Sequence, residues 1–181
     1  MARLLLCGLV TGMSGCLIPQ DDQVLPELPP MKNRPPRVAA RVPASDVVEH
    51  KQSAVPQCLA ANATFSLTVE DPDTGDTLRS FWFVEKDETS LPFTPQAVPP
   101  GTSEARIVAA PTSNAFTTAL ANLQTGRRLL TVYVADRDIE EINNGEIRPV
   151  DTEVTLPDGT TATNPGYFVQ HTWVLEVVPC P

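Results

Sequence analysis

Asp71, Asp73 and Asp76 stand together in one stretch, Asp71-Pro72-Asp73-Thr74-Gly75-Asp76, and Asp136 and Asp138 flank Arg137 further along. Clustered carboxylates are what a hard cation needs, because calcium takes about six to eight oxygen ligands. The spacing does not fit an EF-hand loop. Counted from Asp71, the glycine position holds Asp76 and the closing glutamate position holds Trp82. A solvated turn is the simpler account: proline sets φ, aspartate bonds its own backbone, and glycine takes positive φ. No metal is expected. His50 and His171 are the only histidines, and neither has a sequence neighbour that makes a metal pair or a nucleophile–base couple. A hydrogen-bonded structural histidine is the expected role for each. The chain also lacks Gly-x-Ser-x-Gly, a phosphate-binding glycine loop and His-Glu-x-x-His. No enzyme, no catalytic residue and no cofactor are expected.

The four cysteines, Cys7, Cys16, Cys58 and Cys180, are the other reactive groups, and the first two lie in a distinctive setting. Arg3 precedes an apolar run, Leu4 to Val10, followed by the small residues before Cys16. A positive start, a short apolar core and small residues before a cut are the marks of a secretory signal peptide. A spanning helix needs about 20 apolar residues, and Gly8, Thr11, Gly12, Ser14, Gly15 and Pro19 interrupt the run. The sequence Met13-Ser14-Gly15-Cys16 resembles the lipobox of bacterial lipoproteins. That resemblance implies a diacylglyceryl group on the Cys16 thiol, cleavage before it, and acylation of the new amino group, with palmitate-type chains. One acyl chain binds a membrane only marginally, and two or three hold it firmly. Leu17, in place of an aspartate, implies sorting to the outer membrane, facing either the periplasm or the cell surface.

Cys7 would leave with the signal and Cys16 would carry the lipid. Cys58 and Cys180 remain, and in an oxidising envelope they are expected to form a disulfide. Two separate buried thiols are the alternative; a metal pair lacks any Cys-x-x-Cys or histidine cluster beside it. The net charge of −9, with no Lys/Arg cluster, argues against nucleic acid or an anionic lipid surface as an electrostatic partner. Nineteen prolines and 6% aromatic residues favour a loop-rich β protein over a helical bundle.

Residues 1–15 are thus expected to be a signal peptide, 16–36 a lipidated cysteine with a proline-rich tether, and 37–181 one domain. Val38 to Val42 and Val47-Val48 are weak candidates for a first edge strand, interrupted by Pro43. Phe65, Leu67 and Val69 alternate with polar residues, as in a half-buried strand. Leu78 to Val84 puts Leu78, Ser80, Trp82 and Val84 on one face, and Phe81 and Phe83 on the other. A strand apolar on both faces is usually covered on both, and Glu85–Pro100 is the expected cover; an exposed aromatic patch is the alternative. Shorter strands are expected at Arg106–Ala109 and Phe116–Leu123. Leu130, Val132 and Val134 form another face before Asp136, and Val169, His171, Trp173, Leu175 and Val177 the last. Between these, Arg137–Pro165 reads as a long polar connection, with a helical turn at Ile139–Asn144 and a small hairpin around Pro157-Asp158-Gly159.

Short strands with turn signals between them imply an all-β, antiparallel sandwich. Three motifs make a resemblance specific: Asn33-Arg34-Pro35-Pro36-Arg37-Val38, then Asp71 to Leu78 with Trp82 beyond, then Gly126 to Asp136 with alternating apolar residues. This is similar to bacterial immunoglobulin-like domains of the PKD-like or cadherin-like kind. Thr74 is an additional turn residue relative to that pattern, and Arg128 stands where tyrosine is common. The resemblance bears on fold rather than on function.

Two functions fit these features. One is a non-catalytic module, anchored to the outer membrane through its lipid, that docks an envelope protein. The other is a carbohydrate-binding or adhesive module using Phe81 and Phe83. Sandwich domains carry recognition on end loops, and a connection as long as Arg137–Pro165 is usually functional or disordered. Its acidic residues alternate with Ile139, Ile142, Ile147 and Leu156, a mix suited to an apolar contact with a polar rim. These residues are the expected partner surface, a merely decorative extra hairpin being the alternative on loop length, and the connection is expected to be removable without loss of the sandwich.

Overall fold

The computed structural model describes residues 33–52, 62–86, 92–141 and 147–180, with the backbone alone for 140 and 141. Two sheets face each other. The smaller contains β1 (Arg37–Val42), β3 (Ser66–Glu70) and β6 (Ala105–Ala109), in the order β1-β3-β6 and antiparallel throughout. The larger has the order β2-β12-β7-β4-β5, built from β2 (Val47–Gln52), β4 (Leu78–Val84), β5 (Gln96–Val98), β7 (Gly126–Ala135) and β12 (Phe168–Pro179). The protein is an all-β sandwich of immunoglobulin-like arrangement. One pairing departs from the expected antiparallel pattern: β2 runs parallel to β12, with Val48 opposite Leu175.

That parallel pair follows from the break at Pro43. β1 and β2 are not one interrupted edge strand but two strands in different sheets. Proline cannot donate to a ladder, so pairing stops there and the chain crosses over. The crossing is fastened from inside, where Trp173 Nε1 donates to the Pro43 carbonyl at 3.1 Å.

The alternation read from the sequence fills the space between the sheets. Phe65, Leu67 and Val69 come from the small sheet's side; Leu78, Trp82, Leu130, Val132, Val134, Trp173 and Leu175 come from the large sheet, all buried. The indoles of Trp82 and Trp173 lie parallel, 5° apart with centroids 6.0 Å apart, and Phe65 meets Trp173 edge-on.

Phe116–Leu123, expected as a strand, is instead largely α1 (Asn114–Ala121). Ser113 caps it, its hydroxyl accepting from Phe116 N, as serine before a helix does. Helical spacing brings Phe116, Leu120 and Leu123 to one side, where they pack on the core. α1 carries the chain from β6 in one sheet to β7 in the other, and Phe116 closes over Trp82. None of the described helices is long and apolar enough to cross a membrane.

Candidate functional site

The three sequence motifs meet at one end of the sandwich. Asn33 is buried, and its amide donates to Asp136 Oδ2 at 2.9 Å and to the Pro165 carbonyl at 2.8 Å, while its backbone N–H donates to Asn164 Oδ1. Asp136 Oδ1 accepts from Tyr167 N at 2.8 Å. Arg34 reaches the acidic turn, donating to Asp73 and to the Pro72 carbonyl. Contacts of the sandwich therefore include Asn33 and Arg34, ahead of β1 and of the boundary expected at residue 37.

The turn is not the solvated one expected from its composition. Asp71 is fully buried and holds the turn by accepting from Asp73 N at 2.9 Å. Its other oxygen meets Arg106, whose guanidinium is buried too and also donates to the Asp76 carbonyl. Arg137 pairs with Asp76 at 3.4 Å and Arg34 with Asp73 at 3.1 Å. Each carboxylate of the turn thus has its own arginine. Among the described residues no group of three acidic, histidine or cysteine side chains is arranged to hold a metal ion.

Burial pushes the Asp71 carboxyl above the usual carboxylate range, against the pull of the Asp73 N–H and of Arg106. Asp136 is raised for the same leading reason, opposed by its bonds from Tyr167 and Asn33. A cavity of about 410 Å³ lies alongside, bordered by Asp76, Arg79, Asp136, Arg137 and Asp138. Its two arginines are engaged, Arg79 by Asp138 and Arg137 by Asp76. This end is a charge-compensated clasp that joins the start of the domain, the turn and the end of β7.

The long connection after β7 folds into two small ribbons. β8 (Ile139–Glu141) pairs with β9 (Arg148–Pro149), and β10 (Thr152–Thr155) pairs with β11 (Thr161–Asn164). The hairpin expected around Pro157-Asp158-Gly159 is present: Gly159 has φ of 82°, and the Asp158 carboxylate accepts from both Thr160 N and Thr160 Oγ1. The expected helical turn at Ile139–Asn144 is corrected, since Ile139–Glu141 is extended and paired; residues 142–146 lie outside the described ones. Gly166 marks where this insertion presses on the body, because a Cβ there would sit 2.7 Å from the Pro149 side chain.

That insertion covers the outer face of β4, and of the expected cover Glu85–Pro100 the described Lys86 adds to it, over the Phe83 and Tyr133 rings, while residues 87–91 lie outside the described ones. Phe81, Phe83, Tyr133 and Ala135 form a second buried cluster with Ile147, and Ile139 packs against it. Phe81 and Phe83 are 2% and 1% exposed, so they cannot be the surface aromatics of a binding face. Ile147 likewise faces inward, Leu156 is half-buried in its ribbon, and Ile142 lies outside the described residues. From the Glu85–Pro100 segment, Phe93 packs on Phe116 in the main core instead. Because the insertion roofs an aromatic cluster, it is not removable without exposing that cluster.

What the insertion leaves open is a groove of about 520 Å³ lined by Lys86, Tyr133, Ile147, Arg148, Phe168 and Gln170. Phe168 is 42% exposed, and its ring tilts against Tyr133 at 5.8 Å. Lys86 donates to the Tyr133 hydroxyl at 2.8 Å and lies over the Tyr133 ring. Among the described residues that line it, none is acidic, although the chain carries −9. None of these residues except Ile147 stood out in the sequence. Phe168 could have, since alternation from Trp173 puts it on the face opposite Val169.

The histidines are structural in their contacts. His50 is buried and its Nε2–H donates to the Leu120 carbonyl, with burial holding its pKa below the ordinary value. His171 lies edge-on to Trp173 at 4.4 Å; burial and Arg41 lower its pKa, against Asp46. Cys180 is disulfide-bonded, while Cys58, Cys7 and Cys16 lie outside the described residues.

No family model matches the chain, and no curated protein or solved structure is significantly similar to it.

Proposed function

We propose that this chain is a non-catalytic, lipid-anchored module of the bacterial envelope that docks another envelope protein through the groove beside Phe168. The groove carries the reading: the exposed Phe168 ring beside the buried Tyr133, with the cationic Arg148 and the amide of Gln170 among its described lining, on an acidic molecule. An apolar centre with a polar rim is the anatomy of a protein contact, and the groove opens beside the end-loop insertion, where sandwich domains keep their recognition. The lipid on Cys16 and its outer-membrane destination rest on the lipobox resemblance, and the Cys58–Cys180 pairing on the cysteine count. The position of Asn33, clasped to Asp136, would put the insertion end of the domain on the side nearest the tether.

Two outcomes follow. Cys16→Ala should leave an uncleaved precursor that no longer partitions into detergent with lipoproteins, because neither lipid transfer nor the dedicated cleavage can proceed. Normal partitioning would refute the anchor. Arg148→Glu and Phe168→Ala, both at exposed positions, should change stability little, as exposed sites generally do. Each should reduce crosslinking to the partner in membranes several-fold. Undiminished crosslinking by the folded variants would move recognition elsewhere.

A glycan partner is the second reading. Its aromatic is no longer Phe81 or Phe83 but the exposed Phe168, and retention of the protein on an acidic polysaccharide, lost in Phe168→Ala alone, would favour it.

A further inference from the structure

The two main sheets end in four edge strands, β1 and β6 in the smaller, β2 and β5 in the larger. An edge offers unpaired N–H and C=O groups to any extended chain, and proteins blunt it with charge, proline, bulges or shortness. Three of these edges are blunted. β1 carries Arg37 and Arg41, a register shift between Val38 and Ala40, and Pro43 just beyond. β2 carries Glu49 and Lys51. β5 has only three residues, bracketed by Pro95 and Pro99.

Among the described residues β6 has the least of this protection, with Pro111 beyond its end and no proline, bulge or outward charge within it. Ala105, Ile107 and Ala109 face solvent, and Ile107 at 71% is the most exposed of the large hydrophobic residues described. Its only charged side chain, Arg106, turns inward to Asp71. The register fixes which backbone groups are free. Asp71 N–H donates to the Glu104 carbonyl and Ala110 N–H to the Phe65 carbonyl, with Leu67 opposite Val108 and Val69 opposite Arg106. Alternate residues of an antiparallel strand bond to the same neighbour. Residues 104, 106, 108 and 110 therefore point their backbone groups at β3, and Ala105, Ile107 and Ala109 point theirs outward.

We propose that β6 pairs antiparallel with β6 of a second copy, about a two-fold axis at Ile107, joining two three-stranded sheets into one. The strand is its own complement. The outward groups are symmetric about Ile107, so Ala105 meets Ala109, Ile107 meets Ile107, and Arg106 faces Val108 with no like charges opposed. Pro111 limits the ladder at one end, and the contact closes on itself as a two-fold interface does. The charge of −9 on each copy is screened over about 8 Å at physiological salt, and the outward-facing residues of the strand that must approach most closely, Ala105, Ile107 and Ala109, are uncharged.

In this register the two Ile107 residues form a hydrogen-bonded pair with Cα atoms about 5.5 Å apart, inside the ~4.4–6.8 Å span of a disulfide. The full-length chain carrying Ile107→Cys should give a disulfide-linked homodimer in cells under mild oxidation, above the background of the unsubstituted chain. Ala109→Cys alone is out of register with itself and should not, whereas Ala105→Cys with Ala109→Cys should. All three side chains point to solvent, so the fold is spared. Equal yields from Ile107→Cys and Ala109→Cys, or no dimer from either, would overturn the proposal; linkage of Ile107→Cys to a different protein would replace the second copy by a foreign strand.

Discussion

Replacing Arg106 by leucine is expected to lower stability at neutral pH by about 3–5 kcal/mol, the range for removing one member of a buried ion pair. The guanidinium is 6% exposed and Asp71 fully buried, so no water can substitute for the lost cation. The pH dependence separates this charge effect from lost packing. Burial already lifts Asp71 above the ordinary carboxylate pKa, and Arg106 is one of the forces holding it down. Without Arg106 the folded-state pKa rises further above the unfolded value. A group raised on folding favours the folded state below the unfolded pKa, and that benefit is lost as pH rises through the folded pKa. The penalty of Arg106→Leu should therefore be largest at neutral pH and shrink in acid, where Asp71 is protonated. Urea unfolding at the two pH values measures it. A penalty independent of pH would mean that volume, not charge, dominates. Adding Asp71→Asn should restore part of the stability, since an amide keeps the acceptor for Asp73 N–H without a stranded charge.

Arg106 also marks the limit of what was legible beforehand. Period-two alternation placed Leu67, Trp82, Val132 and Trp173 correctly, because apolar side chains have one place to go in a sandwich. The same alternation puts Arg106 on the buried side with Val108, but a charged residue reads as exposed unless its counter-ion is known, and Asp71 lies 35 positions away. The acidic turn looked solvated for the same reason: its arginines come from three separate segments. α1 was hidden by two threonines and by its shortness, which leave Ser113 as the main local signal. Burial of Phe81 and Phe83 was foreseeable from a strand apolar on both faces, whereas the identity of the cover was not. A connection of mixed acidic and apolar residues has no period to say whether its isoleucines look in or out, and Ile147 looks in.

The second large effect is expected at Trp173. Truncation to alanine should cost about 3–5 kcal/mol, as for large aromatic side chains in cores. The ring is fully buried between Trp82, stacked at 6.0 Å, and the edge of Phe65 at 5.2 Å. Its Nε1–H also ties the Pro43 carbonyl, where the chain passes from the small sheet to the large one. Trp173→Phe separates these roles: it retains much of the apolar ring but removes the donor, leaving a partly buried carbonyl unpaired at a cost of about 1–3 kcal/mol. Because the chain holds only two tryptophans, their stacking has its own optical signature. Coupled indole bands in the near-ultraviolet circular dichroism should vanish in Trp173→Phe and equally in Trp82→Phe, while the far-ultraviolet β signal of the folded variants persists. If Trp173→Phe retains both the wild-type stability and the coupled bands, the indole pair does not fasten the sheets at Pro43.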